Sequence, residues 1–157
     1  MSKTRLSWDE YFMKMAHLAA ERSTCLRRQV GAVLVKDNRV IATGYNGACR
    51  KTVDCLELGC LRDEMKIPSG TRHEICRSVH AEANAIIQAA VQGISTKGAT
   101  LYCTHTPCIL CAKTIVNAQI ARCVLDEQYS EDSYKPLFEE VGIEVVYLNT
   151  SKNKEEK

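Results

Sequence analysis

No stretch of this chain is apolar for long enough to cross a bilayer, and Met1–Arg5 is not followed by the apolar core of a secretory leader. Both absences argue against export and a membrane partner, and the expected location is the cytoplasm. Charge of one sign is missing as well. Twenty-one Lys and Arg against 19 Asp and Glu leave a formal net charge of +2, with no basic block and no stripe of cations interleaved with aromatics. A nucleic-acid footprint is normally more basic, so no nucleic-acid partner is expected, while a small anionic substrate stays compatible. Internal repeats are lacking too. With 45% hydrophobic and 25% charged residues, 157 residues suit one globular domain over 1–157. Its core is expected over about 8–148, with a polar, flexible tail at 149–157.

Cysteine, by contrast, is abundant. Nine in a chain of this size, an odd number with no leader, fit metal ligation in a reducing compartment better than a disulfide framework. Two pairs of residues focus that reading. His80-Ala81-Glu82 opens a run of helix formers that ends near Gly93, and Pro107-Cys108-Ile109-Leu110-Cys111 opens a second helical stretch. Cysteines three apart at a helix start share one face. Pro107 suits the entry to a helix, where its missing N–H costs nothing. The positive end of the helix favours the thiolates that a metal needs.

One imidazole (His80) and two thiolates (Cys108, Cys111) leave a fourth tetrahedral position open to water, as in catalytic zinc sites. Such a zinc is formally neutral and acidifies water less than an all-histidine site. A carboxylate must therefore carry the proton, and Glu82, on a different helix face from His80, is placed for it. Either half alone is weak, since a lone Cys-x-x-Cys is more often structural or redox-active. Together and in this order they are specific.

Elsewhere, Ser7 and Glu10 form a capping box for a helix over Trp8–Arg22. Val30–Val35 and Arg39–Gly44 read as strands joined by a short hairpin around Lys36-Asp37-Asn38. Asn46 next to Gly47 serves equally well as a left-handed turn or as a sugar-hydroxyl ligand. From Ala48 to Val79 periodicity disappears, and a loop of that length needs a function or a staple. It carries Cys49, Cys55, Cys60, His73 and Cys76. The expected staple is a second, structural zinc held by Cys25, Cys55 and His73, with Cys60 or Cys76 as fourth ligand. Cys103 and Cys123 read as small buried apolar residues. Strands follow over Ala99–Cys103, Ala121–Leu125 and Ile143–Leu148. A helix near Ser133–Val141 joins the last two, which implies parallel pairing.

These motifs resemble the zinc-dependent cytidine deaminase superfamily, whose H-x-E…P-C-x-x-C signature they reproduce. The likeness is nearest to deoxycytidylate (dCMP) deaminases of the bacterial late-competence type, and spans about Trp8 to Leu148. It is carried by Ser23-Thr24-Cys25, Val30-Gly31-Ala32, Gly44-Tyr45-Asn46-Gly47, His80 to Ile86 and Pro107 to Cys111. The resemblance implies a three-layer α/β/α sandwich on a five-stranded mixed sheet. It also implies hydrolysis of dCMP to dUMP and ammonia, feeding thymidylate synthesis. Zinc would sit on His80, Cys108 and Cys111, with Glu82 as the proton carrier, Asn46 on the deoxyribose and Tyr129 near the base or phosphate. It further implies a homohexamer activated by dCTP and inhibited by dTTP. Arg27, Arg28, Arg77 and Lys113 are phosphate candidates among which the sequence does not choose.

Two alternatives differ in kind. A tRNA adenosine deaminase shares both motifs but should be more basic and lack the cysteine-bearing insertion. A non-catalytic zinc-stabilised scaffold in DNA uptake would keep the ligands without needing Glu82.

Overall fold

The computed structural model describes residues 4–129 and 131–150. Of the expected polar tail, residues 151–157 lie outside that range. The chain begins with α1 (Trp8–Ala20), whose capping box is present as expected: the Ser7 hydroxyl accepts from the Glu10 amide, and the Glu10 carboxylate accepts from the Ser7 amide. The helix stops two residues short of Arg22 for a tertiary reason. The next residues turn toward Asn46, with the Ser23 hydroxyl and the Thr24 amide both donating to its carbonyl.

Strands β1 (Gly31–Lys36) and β2 (Arg39–Tyr45) form an antiparallel hairpin. Asp37 and Asn38 at its tip both have positive φ, the geometry that suits the twist of a two-residue connection. The irregular insertion is closed at its ends by two short antiparallel strands, β3 (Gly47–Ala48) and β4 (Ser78–Val79). Inside it lie two single-turn helices, α2 (Cys55–Leu58) and α3 (Leu61–Glu64), too short to leave a period in the sequence. Then come α4 (Ala81–Val91), β5 (Thr100–His105), α5 (Ile109–Asn117), β6 (Arg122–Glu127), α6 (Tyr134–Val141) and β7 (Glu144–Tyr147).

The main sheet has the order β2-β1-β5-β6-β7. Its first two pairings are antiparallel and its last two parallel, so the sheet is mixed and five-stranded as expected. The central strands are covered on both faces, which is why they read as near-continuous apolar runs. On one face α1 sets Phe12, Met13 and Ala16 against Val33, Val35, Tyr102 and Val124. On the other, Ala81, Ala85, Ala89, Ile115 and Phe138 of α4, α5 and α6 cover Leu34, Leu101, Cys103 and Leu125.

Both helix layers sit unusually close to the sheet, and glycine makes this feasible. A Cβ on Gly31 would lie 1.9 Å from the Ala16 carbonyl oxygen of α1, and one on Gly44 would lie 2.3 Å from the Ala81 carbonyl oxygen of α4.

Candidate active site

Helices α4 and α5 start beside each other at the end of the sheet where β5 finishes. His80 is the N-cap of α4 and Cys108 the N-cap of α5, both with extended backbone. Neither side chain caps its own helix. His80 therefore stands just outside the helix while Glu82 lies in its first turn, which separates the two side chains as their spacing required. In α5 the Ile109 amide is bonded instead by the Glu131 carboxylate at 3.1 Å, leaving the Cys108 sulfur free for other work.

His80 Nδ1 lies 3.5 Å from Cys108 Sγ and 3.3 Å from Cys111 Sγ. Bond lengths of about 2.3 Å to sulfur and 2.05 Å to nitrogen place tetrahedral nitrogen and sulfur ligands of zinc about 3.5 Å apart. Both nitrogen–sulfur distances thus match edges of a zinc tetrahedron. Among the described residues the three donors are the one group whose ligating atoms all lie within 4.8 Å of one another.

The electrostatics agree. The Cys108 thiol is pushed down to about 3, because the Cys111 thiol donates to it, against burial, with further help from His80. Cys111 moves the opposite way, as the donor in that pair and because it is buried. The contact between His80 and Cys108 raises the pKa of His80 in spite of burial. Two sulfurs titrating as a pair give up one proton readily and hold the second until a cation replaces it, and a bound metal ion is such a cation.

Glu82 is only 4% exposed, and burial raises its carboxyl pKa more than the nearby His80 lowers it. A carboxyl raised in this way suits a group that must both take and give a proton.

The same cleft is lined by Asn46, His80, Glu82, Cys108 and Tyr129, and also by Cys25, His73 and Cys76 of the expected structural site. Asn46 is largely engaged in the fold: its Oδ1 accepts from the Ser23 hydroxyl and the Val30 amide, and its Nδ2 donates to the Arg28 carbonyl. One amide hydrogen remains uncommitted. Tyr129 is drawn to the cleft by its amide, which donates to Thr106 Oγ1 at 2.7 Å, and its ring lies 4.1 Å beneath the Arg28 guanidinium.

Of the cations the sequence could not choose between, Arg27 and Arg28 line the cleft, whereas Arg77 is tied to the Val53 carbonyl. Arg62 and His105 also line it and carried no local signal, since tertiary folding alone brings them there.

Cys55 lies near Cys60, Cys76 and Cys25; burial first and these three thiols next raise its pKa. His73 packs edge-on against His80, ring centres 5.0 Å apart, and both its nitrogens are buried without a hydrogen-bond partner.

Fold and site together define an α/β protein with three zinc-type ligands, His80, Cys108 and Cys111, and a buried carboxylate in the same cleft. The chain belongs to the cytidine and deoxycytidylate deaminase zinc-binding family, whose model matches residues 6–127. It is 44% identical to ComE operon protein 2 of Bacillus subtilis, over 90% of this chain and 71% of that one. To the deoxycytidylate deaminase of Schizosaccharomyces pombe it is 41% identical, over 92% of this chain but 45% of that protein. The crystal structure of the cyanophage S-TIM5 dCMP deaminase in complex with dCMP and dUMP superposes with a TM-score of 0.78 at 28% identity. That match covers 93% of this chain and all of the other.

Proposed function

We propose that this chain is a zinc-dependent deaminase converting dCMP to dUMP and ammonia. The observation that carries the reading is the placement of His80, Cys108 and Cys111 at zinc-ligand spacing, with the buried Glu82 in the same cleft. His80 Nδ1 and the two sulfurs would hold the metal, which when bound supplies an open Lewis-acidic position that eases deprotonation of water. Glu82 takes the first proton of the attacking water as its oxygen bonds to C4 of the cytosine, and delivers it to ring N3. It then carries the second proton to the exocyclic nitrogen, so that the C4–N4 bond breaks, ammonia leaves and the C4 carbonyl of uracil remains. Because Glu82 is almost fully buried, bulk solvent does not compete for these protons.

Arg28 supports a nucleotide over a nucleoside. Arg28 stacks on Tyr129 and has no carboxylate partner among the described residues, so its N–H groups are free for an anion. Asn46 offers its remaining amide hydrogen to the deoxyribose.

A test is ammonia release by the zinc-loaded protein from dCMP, deoxycytidine, CMP, dCTP and tRNA, beside Glu82→Gln. Turnover of dCMP, lost in the variant with zinc retained, is the expected result. Activity on tRNA alone would move the chain to the adenosine deaminases. Silence on every substrate, with dCTP also added as activator, would favour the uptake scaffold.

The thiol cluster favours a second reading. Cys25, Cys55 and His73, with Cys60 or Cys76, would hold a structural zinc that pins the insertion. The gathering of thiols around Cys55 and the unpartnered nitrogens of His73 support it. Metal analysis should give two zinc ions per chain, and one ion would refute this site. The family resemblance further supports a cytoplasmic homohexamer regulated by dCTP and dTTP. Light scattering and initial rates with each triphosphate test those points. No helix among the described residues is long and apolar enough to cross a membrane.

A further inference from the structure

The two halves of the site hang from different parts of the fold. His80 and Glu82 belong to the start of α4, with Val79 of β4 just before them. Asn46 follows Tyr45 at the end of β2 and braces the other half. Its side-chain oxygen accepts from the Val30 amide at 2.9 Å, and its nitrogen donates to the Arg28 carbonyl at 2.7 Å. Asn46 and Arg28, the groups assigned to sugar and phosphate, are thereby built as one unit.

Asn84 joins that unit to the metal half. It lies one turn into α4, where its backbone amide donates to the His80 carbonyl at 2.9 Å. Its side-chain nitrogen donates to the Tyr45 carbonyl at 2.8 Å and to the Val79 carbonyl at 3.3 Å. Each of those carbonyls belongs to the peptide bond that leads into a site residue, Asn46 in one case and His80 in the other. A primary amide carries two N–H hydrogens, so one nitrogen serves both acceptors at once. Close packing at Gly44 sets the distance between β2 and α4. Hydrogen bonds are directional, and these two also set how the two peptide groups are turned.

We propose that Asn84 is a positioning residue for the deamination: it sets the sugar and phosphate half of the site, Asn46 with Arg28, against the metal half, His80 with Glu82. This rests on the deaminase reading, in which one substrate spans both halves.

Removing the amide should loosen the relation between the halves and leave each of them intact. Asn84→Ala should lower kcat for dCMP about tenfold, the worth of one or two ordinary hydrogen bonds, because the reacting geometry tolerates less displacement than ground-state binding does. Zinc per chain should stay full, and Kd for the product dUMP should stay within about twofold of wild type. In Asn84→Asp a carboxylate faces both carbonyls, so kcat should fall at least as far. Its Tm should fall no further than that of the alanine variant, since a negative charge suits the start of a helix. A purely structural role predicts that Tm, zinc content and dUMP affinity all decline together with kcat. That pattern, or kcat within about twofold of wild type in Asn84→Ala, would overturn the proposal.

Hydrogen–deuterium exchange tests the tie without turnover. In Asn84→Ala the amides of residues 44–48 and of residues 78–82 should both exchange faster than in wild type. Unchanged exchange in either segment overturns the proposal even where the wild type releases no ammonia. That last result would sink the deaminase reading separately.

Discussion

Replacing Gly44 with alanine should disrupt the active site through the seat of α4 on β2. The added Cβ would lie 2.3 Å from the Ala81 carbonyl oxygen and 2.5 Å from the Ala85 amide nitrogen, both backbone atoms that cannot rotate aside. Relief to an ordinary contact requires α4 to move outward by about 1 Å, and a displacement of that size at a catalytic group costs on the order of 100-fold in rate. His80 and Glu82 travel with α4, whereas Cys108 and Cys111 belong to α5, so the zinc triangle opens as well. Forced overpacking of this kind costs about 1–3 kcal/mol of stability.

The assay is kcat for dCMP, zinc per chain and the midpoint of urea unfolding. Gly93→Ala serves as the control. Gly93 has φ +68° and open space around its Cβ position, so that variant should lose only about 1–2 kcal/mol for left-handed backbone and keep its activity. Gly44→Ala with wild-type kcat and full zinc would refute the argument that this close approach sets the site.

Other perturbations test other parts of the molecule. Asp9 accepts from both terminal nitrogens of Arg122, at 2.8 and 2.7 Å, and from the Tyr102 hydroxyl. The Arg122 bond, opposed by burial, holds its carboxyl below the usual value of 3.8. A depressed carboxyl stabilises the fold above its unfolded pKa and loses that effect as pH falls through the folded value. Asp9→Asn should therefore cost about 1.5–3 kcal/mol at pH 7, and the gap to wild type should close below about pH 4 in urea unfolding. A gap independent of pH would show that charge plays no part there. Arg28→Ala should raise KM for dCMP by about 10- to 100-fold, the worth of a charge-assisted bond, and leave KM for deoxycytidine nearly unchanged. Equal effects on both substrates would remove Arg28 from phosphate recognition.

The sequence by itself determined whatever depends on neighbours along the chain. The capping box at Ser7, the tight turn at Asp37-Asn38, the apolar strands and the two half-motifs at His80 and Cys108 all follow from propensity and spacing, and the structure keeps each of them. The zinc triangle was legible because its three ligands carry recognisable side chains at two helix starts. Which imidazole nitrogen faces the sulfurs was not, since that depends on how α4 and α5 approach each other.

Only the tertiary structure decided the rest. The strand order with β5 between β1 and β6, the seat of α4 on Gly44 and the pairing of Asp9 with Arg122 across 113 positions join residues with no local relation. For the same reason Arg62 and His105 line the cleft without any signal in their own surroundings. Side-chain type and spacing set which chemistry is available, while the packing of layers fixes where each group stands to perform it.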